Sequence, residues 1–147
     1  MKFPNFDIEN NIDGIVAGID EAGRGPLAGP VVAACVIINK YNIPKYLNDS
    51  KKISKNIREK IFLDIKDKCK YGIGIASEAE IDQLNILNAT KLAMKRSFLH
   101  LINKSKANID LVLVDGNFIP KIDVSAQSVI KGDQKSLSIA AASIVAK

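Results

Sequence analysis

Histidine occurs once in this 147-residue chain, at His100, and cysteine only twice, at Cys35 and Cys69. That scarcity narrows the chemistry. Zinc sites and Ser/His or Cys/His nucleophile arrangements depend on imidazole and have little to draw on. Two cysteines without CxxC spacing are too few for a disulfide framework, so both read as reduced core residues. Long apolar runs are lacking as well: stretches such as Ile109 to Val114 fall far short of the roughly 20 residues a membrane span requires. Asp7, Glu9 and Asp13 interrupt the start of the chain, which excludes the apolar stretch of a signal peptide. A cytoplasmic protein with no membrane partner is the default expectation. Internal repeats and low-complexity blocks are absent. Whatever chemistry the chain performs must rest on carboxylates.

Hydrophobic residues make up 47% of the sequence and charged residues 25%, a balance that fits one globular core and neither disorder nor a fibrous class. A chain of this length hides roughly two thirds of its unfolded surface in a single domain. The net charge of +5 is unevenly placed: ten Lys or Arg between Lys40 and Lys70 meet Asp49, Glu59, Asp64 and Asp67, a balance of +6 that leaves −1 for the remainder. This segment is either an anion-facing surface or a solubilising helix face.

Residues 1–14 are mostly polar and aperiodic and read as an N-terminal extension. Ile15 to Ile19 forms an apolar run of strand length ending at Asp20 and Glu21. Pro26, Gly29 and Pro30 punctuate a turn before Val31 to Ile38, a continuous run that predicts a strand buried on both faces. Ser54 is placed to cap a helix whose Ile57, Ile61, Ile65 and Cys69 recur every four residues. Tyr71 to Ala76, with Gly72 and Gly74, predicts a weaker third strand, and Asn85 to about Ile102 an amphipathic helix. Ile109 to Val114 is the clearest strand and delivers Asp115 at its end. A short Ser128 to Lys131 run follows, then a final apolar helix opened by Ser136 or Ser138 and running through Ala146. No helix-ending glycine follows Ala146, so the 15–147 domain is expected to be incomplete at its C-terminal end. The element order implies an α/β protein with a mixed sheet and helical cover.

Adjacent carboxylates at Asp20 and Glu21, followed by Gly23, Arg24 and Gly25, make an unusual local arrangement. Side chains alternate along a strand, so neighbouring acids share one ion only where the strand is ending. The glycines permit a sharp turn and close approach to a ligand, and Arg24 offers a fork for phosphate oxygens. Alone, the segment would more readily be read as a polar turn with an Arg–carboxylate pair. It gains weight from Asp115, because an ionised group ending a wholly apolar strand is rare unless it is paired or binds metal. Ligands collect beyond the carboxyl ends of strands in such sheets, so Asp20, Glu21 and Asp115 converge if their strands are neighbours. An all-oxygen site of this kind suits magnesium or manganese over zinc or copper. Asp133 is either a fourth member or a first-turn charge for the last helix.

The run Gly18-Ile-Asp-Glu-Ala-Gly-Arg-Gly-Pro-Leu-Ala-Gly-Pro30 resembles the first signature of bacterial ribonuclease HII. Four further segments resemble the family's motifs in order. They are Asn48-Asp-Ser-Lys-Lys52, Glu80-Ile-Asp-Gln-Leu-Asn-Ile-Leu87, Val114-Asp-Gly-Asn117, and Lys131-Gly-Asp133 with Ala141-Ala-Ser-Ile-Val-Ala-Lys147. Together they span nearly all of the chain after residue 14.

The resemblance implies a ribonuclease H-like fold and a metal-bound carboxylate cluster of Asp20, Glu21 and Asp115, with Asp133 in the fourth catalytic position and Mn2+ or Mg2+ as cofactor. It implies hydrolysis of RNA/DNA hybrids and of ribonucleotide-containing duplex DNA, the latter a DNA-repair role, by in-line attack between two ions roughly 4 Å apart. The ends produced would be a 5′ phosphate and a 3′ hydroxyl, and the protein is expected to be a monomer. By the same resemblance Gly23, Arg24 and Gly25 read the ribose 2′-OH, the group that tells RNA from DNA at one nucleotide. Lys51 and Lys52 would touch the nucleic-acid backbone. Family members continue past the Ala-Ser-Ile-Val-Ala-Lys segment into a C-terminal helical portion with a tyrosine that senses the ribonucleotide–DNA junction. The alternatives are a noncatalytic nucleic-acid-binding remnant and another carboxylate-based phosphoryl-transfer enzyme.

Overall fold

The computed structural model describes residues 3–23, 29–47 and 54–147. In chain order it contains α1 (Asp7–Asn10), β1 (Val16–Ala22), β2 (Val31–Ile37), α2 (Lys55–Lys68), β3 (Lys70–Ala76), α3 (Glu78–Ser105), β4 (Leu111–Asp115), β5 (Ser125–Val129) and α4 (Leu137–Ala146), with a 3-10 turn at Gly132–Gln134 before α4. The strands form one five-stranded sheet in the order β3-β2-β1-β4-β5. β1, β2 and β3 form an antiparallel meander. β4 and β5 extend the other side in parallel, which is the mixed α/β sheet the element order implies.

Helices cover both faces. Ala17, Ile19, Val31, Ala33, Cys35, Val112 and Val114 pack against Ala89, Ala93, Met94, Phe98 and Leu101 of α3. On the other face Ala34 and Val36 meet Ile61 and Ile65 of α2 and Ala141, Ala142, Ile144 and Val145 of α4, while Val16 and Leu113 meet Ile139. This two-sided burial explains the unbroken apolar run of β2. It also explains α4, in which every residue from Ser138 to Ala146 is buried, as expected for a helix apolar all round. α4 lies directly on β1 at Gly18, where a Cβ would run into the backbone of Ser138 and Ile139. Among the described residues no helix is long and apolar enough to cross a membrane.

Several boundaries differ from the sequence expectation. β1 does not stop at Ile19 but continues to Ala22, because antiparallel pairing with β2 holds as far as Ala22 opposite Val32. α3 starts at Glu78, not Asn85: Ser77 and Glu80 form a capping box there, each satisfying a backbone N–H at the helix start. Asn85 is a joint inside it, with φ 70 and ψ 168, and its side chain accepts the Asn88 N–H at 3.0 Å. The last strand spans Ser125–Val129, and only the start of the expected Ser128 to Lys131 run, Ser128 and Val129, belongs to it. In α2, Ser54 caps as expected and Ile61 and Ile65 are buried, whereas Ile57 is exposed. Ser136, not Ser138, caps α4 by accepting the Ile139 N–H at 3.2 Å.

Candidate active site

β1 and β4 run parallel, with Ile19 opposite Val114. The next residue of each strand is an aspartate, so the register sets Asp20 beside Asp115 at the carboxyl end of the sheet. Val112 and Val114 point toward α3 and Leu113 toward α4, so alternation places Asp115 on the α4 side. Asp20 shares that side with Gly18. Two carboxylates from neighbouring strands thus occupy one face at one end.

Asp20 is buried, with 5% of its surface exposed. Its carboxyl is pushed up to about 9, first by burial, then by the negative charges of Asp115 and Glu21, against the smaller opposing effect of the Glu21 N–H. That N–H donates to Asp20 Oδ1 at 2.8 Å. Glu21 would be sent to the opposite face by strict alternation, yet its side chain hydrogen-bonds with Asp20. The extension of β1 therefore does not separate the two acids: the strand ends one residue later and Gly23 turns the chain with φ 95.

Asp115 is half-buried and its Oδ1 accepts the Gly132 N–H at 2.6 Å. Gly132 opens the 3-10 turn, after Lys131 in left-handed conformation with φ 54. A Cβ on Gly132 would lie 2.5 Å from Ile139 Cδ1 and 3.3 Å from Asp115 Oδ1, so the absence of a side chain is what lets the turn close over Asp115. Asp133 follows in the same turn, one residue from the group that holds Asp115. It is not the cap of α4, a position Ser136 fills. Arg24, Gly25, Lys51 and Lys52 lie outside the described residues.

Among the described residues no three His, Cys, Asp or Glu side chains are gathered as a ready-made metal cage. What is assembled is the Asp20–Asp115 pair with Glu21 alongside. The donor chemistry fits a hard divalent cation: the group is all carboxylate oxygen, and burial makes its ionisation costly without positive charge. Imidazole and thiolate sit elsewhere. His100 Nδ1 accepts the Ile73 N–H at 2.9 Å, where it serves the edge strand β3, and Cys35 is buried beneath α3.

The basic segment is exposed at Lys55, Lys60, Lys66 and Lys70, while Lys68 is paired with Asp64 at 3.0 Å. Sequence reasoning missed the Gly132 N–H that reaches Asp115, and also Glu9, whose buried carboxylate bonds to the start of α4. Glu9 stands in a polar stretch with no catalytic motif. The only cue was the apolar trio Phe6, Ile8 and Ile12 around it, which packs into the core.

Among solved structures, the fold matches Bst-RNase HIII in complex with Mn2+ at a TM-score of 0.77 and 19% identity, over 90% of this chain and 50% of that one. It also matches the ribonuclease H2 from Pyrococcus horikoshii OT3 at a TM-score of 0.74 and 26% identity, over 90% of this chain and 70% of that one. Fold and site together define a ribonuclease H-type hydrolase. The Ribonuclease HII family model matches residues 17–147. A Ribonuclease HII of Wolbachia pipientis subsp. Culex pipiens (strain wPip) is 49% identical over 148 residues, spanning all of this chain and 73% of that protein. One from Clostridioides difficile (strain 630) is 53% identical over 133 residues, 90% of this chain and 51% of that protein. The chain belongs to the ribonuclease HII family.

Proposed function

We propose that this ribonuclease cuts the RNA strand of RNA/DNA hybrids and at ribonucleotides embedded in duplex DNA. Asp20, Glu21 and Asp115 hold Mn2+ or Mg2+, and Asp133 is the fourth catalytic carboxylate. The observation that carries the reading is the placement of Asp20 beside Asp115, one buried and one half-buried, at the carboxyl ends of two neighbouring parallel strands. Divalent ions held there would supply the positive charge that acidifies the attacking water and stabilises the leaving oxygen.

The chain's own groups then have separable tasks. Asp20 is anchored through the Glu21 N–H and Asp115 through the Gly132 N–H, so each presents a second oxygen without the freedom of a surface carboxylate. Asp133, on the adjoining turn, would act on the leaving-group side. Water attacks phosphorus in line, the bond from phosphorus to the 3′ oxygen breaks, and the ends are a 5′ phosphate and a 3′ hydroxyl. Gly23, Arg24 and Gly25 read the ribose 2′-OH and its phosphate, a contact that needs a backbone able to approach the sugar closely. Lys51 and Lys52 neutralise backbone phosphates beside the cut. The catalytic domain is residues 15–147, and the protein acts as a cytoplasmic monomer in DNA repair.

The test is cleavage of a duplex containing one ribonucleotide, with Mn2+ or Mg2+, by the wild type and by Asp20→Asn, Glu21→Gln and Asp115→Asn. Wild-type cleavage that each substitution abolishes in a folded protein is the expected result. Near-normal activity in one variant removes that residue from the site. Duplex binding without cleavage under either metal would replace the enzyme reading with a nucleic-acid-binding one.

A further inference from the structure

The first N–H groups of a helix have no partner within it, and those of α4 are met in an unusual way. The Leu137 N–H donates to the Asn5 carbonyl at 2.9 Å. The Ser138 N–H donates to Glu9 Oε2 at 3.0 Å. The Ile139 N–H donates to Ser136 Oγ at 3.2 Å, and the Ser136 hydroxyl in turn donates to Glu9 Oε2 at 2.8 Å. Two of three donors thus end on residues near the start of the chain, outside the 17–147 region that carries the family match. A parallel bridge between Asn5 and Ser136 fixes the same segment.

Glu9 is a costly way to cap a helix. It is 4% exposed, and its Oε1 and the Ser138 hydroxyl are both buried with no hydrogen-bond partner among the described residues. A buried carboxylate is weak evidence for stability, since desolvation offsets much of what its bonds return. What it does provide is a fixed position for Ser136, because one carboxylate oxygen gathers the capping hydroxyl and the next backbone donor together. From Ser136 the bonding continues to the proposed active site. The Ser136 N–H donates to the Gly132 carbonyl at 2.8 Å, and the Gly132 N–H donates to Asp115 Oδ1 at 2.6 Å. Asp133 lies between these two residues in sequence, on the turn they clamp.

We infer that Glu9 is a positioning residue for catalysis: through Ser136 and Gly132 it sets the height of the turn that orients Asp115 and carries Asp133. The inference rests on the proposed carboxylate site. It makes the N-terminal segment part of the catalytic apparatus by positioning. Groups that orient a metal's carboxylates through hydrogen bonds are worth about 10- to 100-fold in affinity or rate.

The experiment compares Glu9→Ala, Glu9→Gln, Ser136→Ala and Asp115→Asn with the wild type in the full chain. Readouts are thermal unfolding, Mn2+ binding to the nucleic-acid-free protein by titration calorimetry, and single-ribonucleotide cleavage well below the lowest melting temperature. Glu9→Ala is expected to weaken Mn2+ binding and kcat by about tenfold with KM changed less than about twofold. Glu9→Gln, whose amide oxygen still accepts from both serines, is expected to recover most of that loss. A Glu9→Ala protein with lowered melting temperature but wild-type Mn2+ affinity and kcat overturns the inference, as does Glu9→Gln being no better than Glu9→Ala. Should Glu9→Ala not fold, Ser136→Ala decides, because it removes the relay atom and leaves Glu9 bonded to Ser138; unchanged Mn2+ affinity there also overturns it. Asp115→Asn separates the two levels. If it retains binding and cleavage, the active-site reading itself fails; if it loses both while the Glu9 variants stay normal, only the positioning role fails.

Discussion

In metal-free protein, Asp20→Asn is expected to raise stability and flatten its pH dependence while abolishing cleavage. The Asp20 carboxyl keeps its proton up to about 9 in the fold, because of burial first and of Asp115 and Glu21 second, against 3.8 in the unfolded chain. Between those values the folded state holds a proton that the unfolded state gives up, so rising pH favours unfolding. The contribution is complete below 3.8 and is lost as pH climbs toward 9. One proton is worth about 1.4 kcal/mol per pH unit, so from about pH 5 to about pH 8 the loss approaches roughly 4 kcal/mol. That is a large share of a domain's typical net stability. Asparagine keeps the oxygen that accepts the Glu21 N–H and has nothing to ionise. Urea unfolding in EDTA at three pH values in this range reads the slope directly, and the wild type should fall while the variant stays nearly level. Saturating Mn2+ should narrow the gap between the two proteins, adding about 2.7 kcal/mol to the wild type at a hundredfold excess over Kd, and little to the variant. Parallel slopes for the two proteins in EDTA would refute the claim that Asp20 keeps a proton in the fold that the unfolded chain gives up.

Gly18→Ala should destabilise by at least about 1–3 kcal/mol, since a Cβ there meets the α4 backbone with no side chain able to yield; a melting temperature within a degree of wild type would contradict the packing of α4 on β1. Ser77→Ala removes one half of the capping box and should cost about 1 kcal/mol in urea unfolding, with cleavage unchanged at low temperature. Lys51→Ala and Lys52→Ala should weaken binding to hybrid and plain duplex alike and each lower the salt slope by about one charge, so an unchanged slope would make this cluster a solvated face. Arg24→Ala should instead reduce discrimination between a ribonucleotide and a deoxyribonucleotide at the cut, measured as the ratio of kcat/KM on matched duplexes.

The strands that form the centre of the sheet were legible because they are buried on both faces. Val31 to Ile37 and Leu111 to Val114 carry no polar residue to interrupt the run, and α4 is apolar on every side. Where burial is one-sided the boundaries slipped. Glu78 to Leu84 is largely exposed helix, whose apolar periodicity is too weak to announce it, although the Ser77 to Glu80 spacing was a local start signal. β5 carries Ser125, Gln127 and Ser128 and buries only Val129. Its limits are set by pairing with β4 from Leu111 opposite Ser125 to Asp115 opposite Val129, a partner that no local pattern names.

The carboxylates show the same division between what a residue reveals and what topology adds. Asp115 was conspicuous as an acid ending an apolar strand, but its meeting with Asp20 depends on β1 and β4 being neighbours in parallel register, a long-range fact. Once they meet, the donors available among the described residues bear on the proposed metal site. α4 begins close by, and a helix N-terminus attracts negative charge through its free N–H groups. Here those groups are already taken: Leu137 by Asn5, Ser138 by Glu9 and Ile139 by Ser136. The backbone donors that do reach the aspartates are single N–H groups, from Glu21 to Asp20 and from Gly132 to Asp115. One neutral donor per carboxylate does not offset the burial and mutual repulsion that hold Asp20 protonated to about 9. With the α4 donors taken by Asn5, Glu9 and Ser136, the described residues give Asp20 and Asp115 one neutral backbone donor each, and divalent ions are the partners whose charge would match what burial and repulsion cost there.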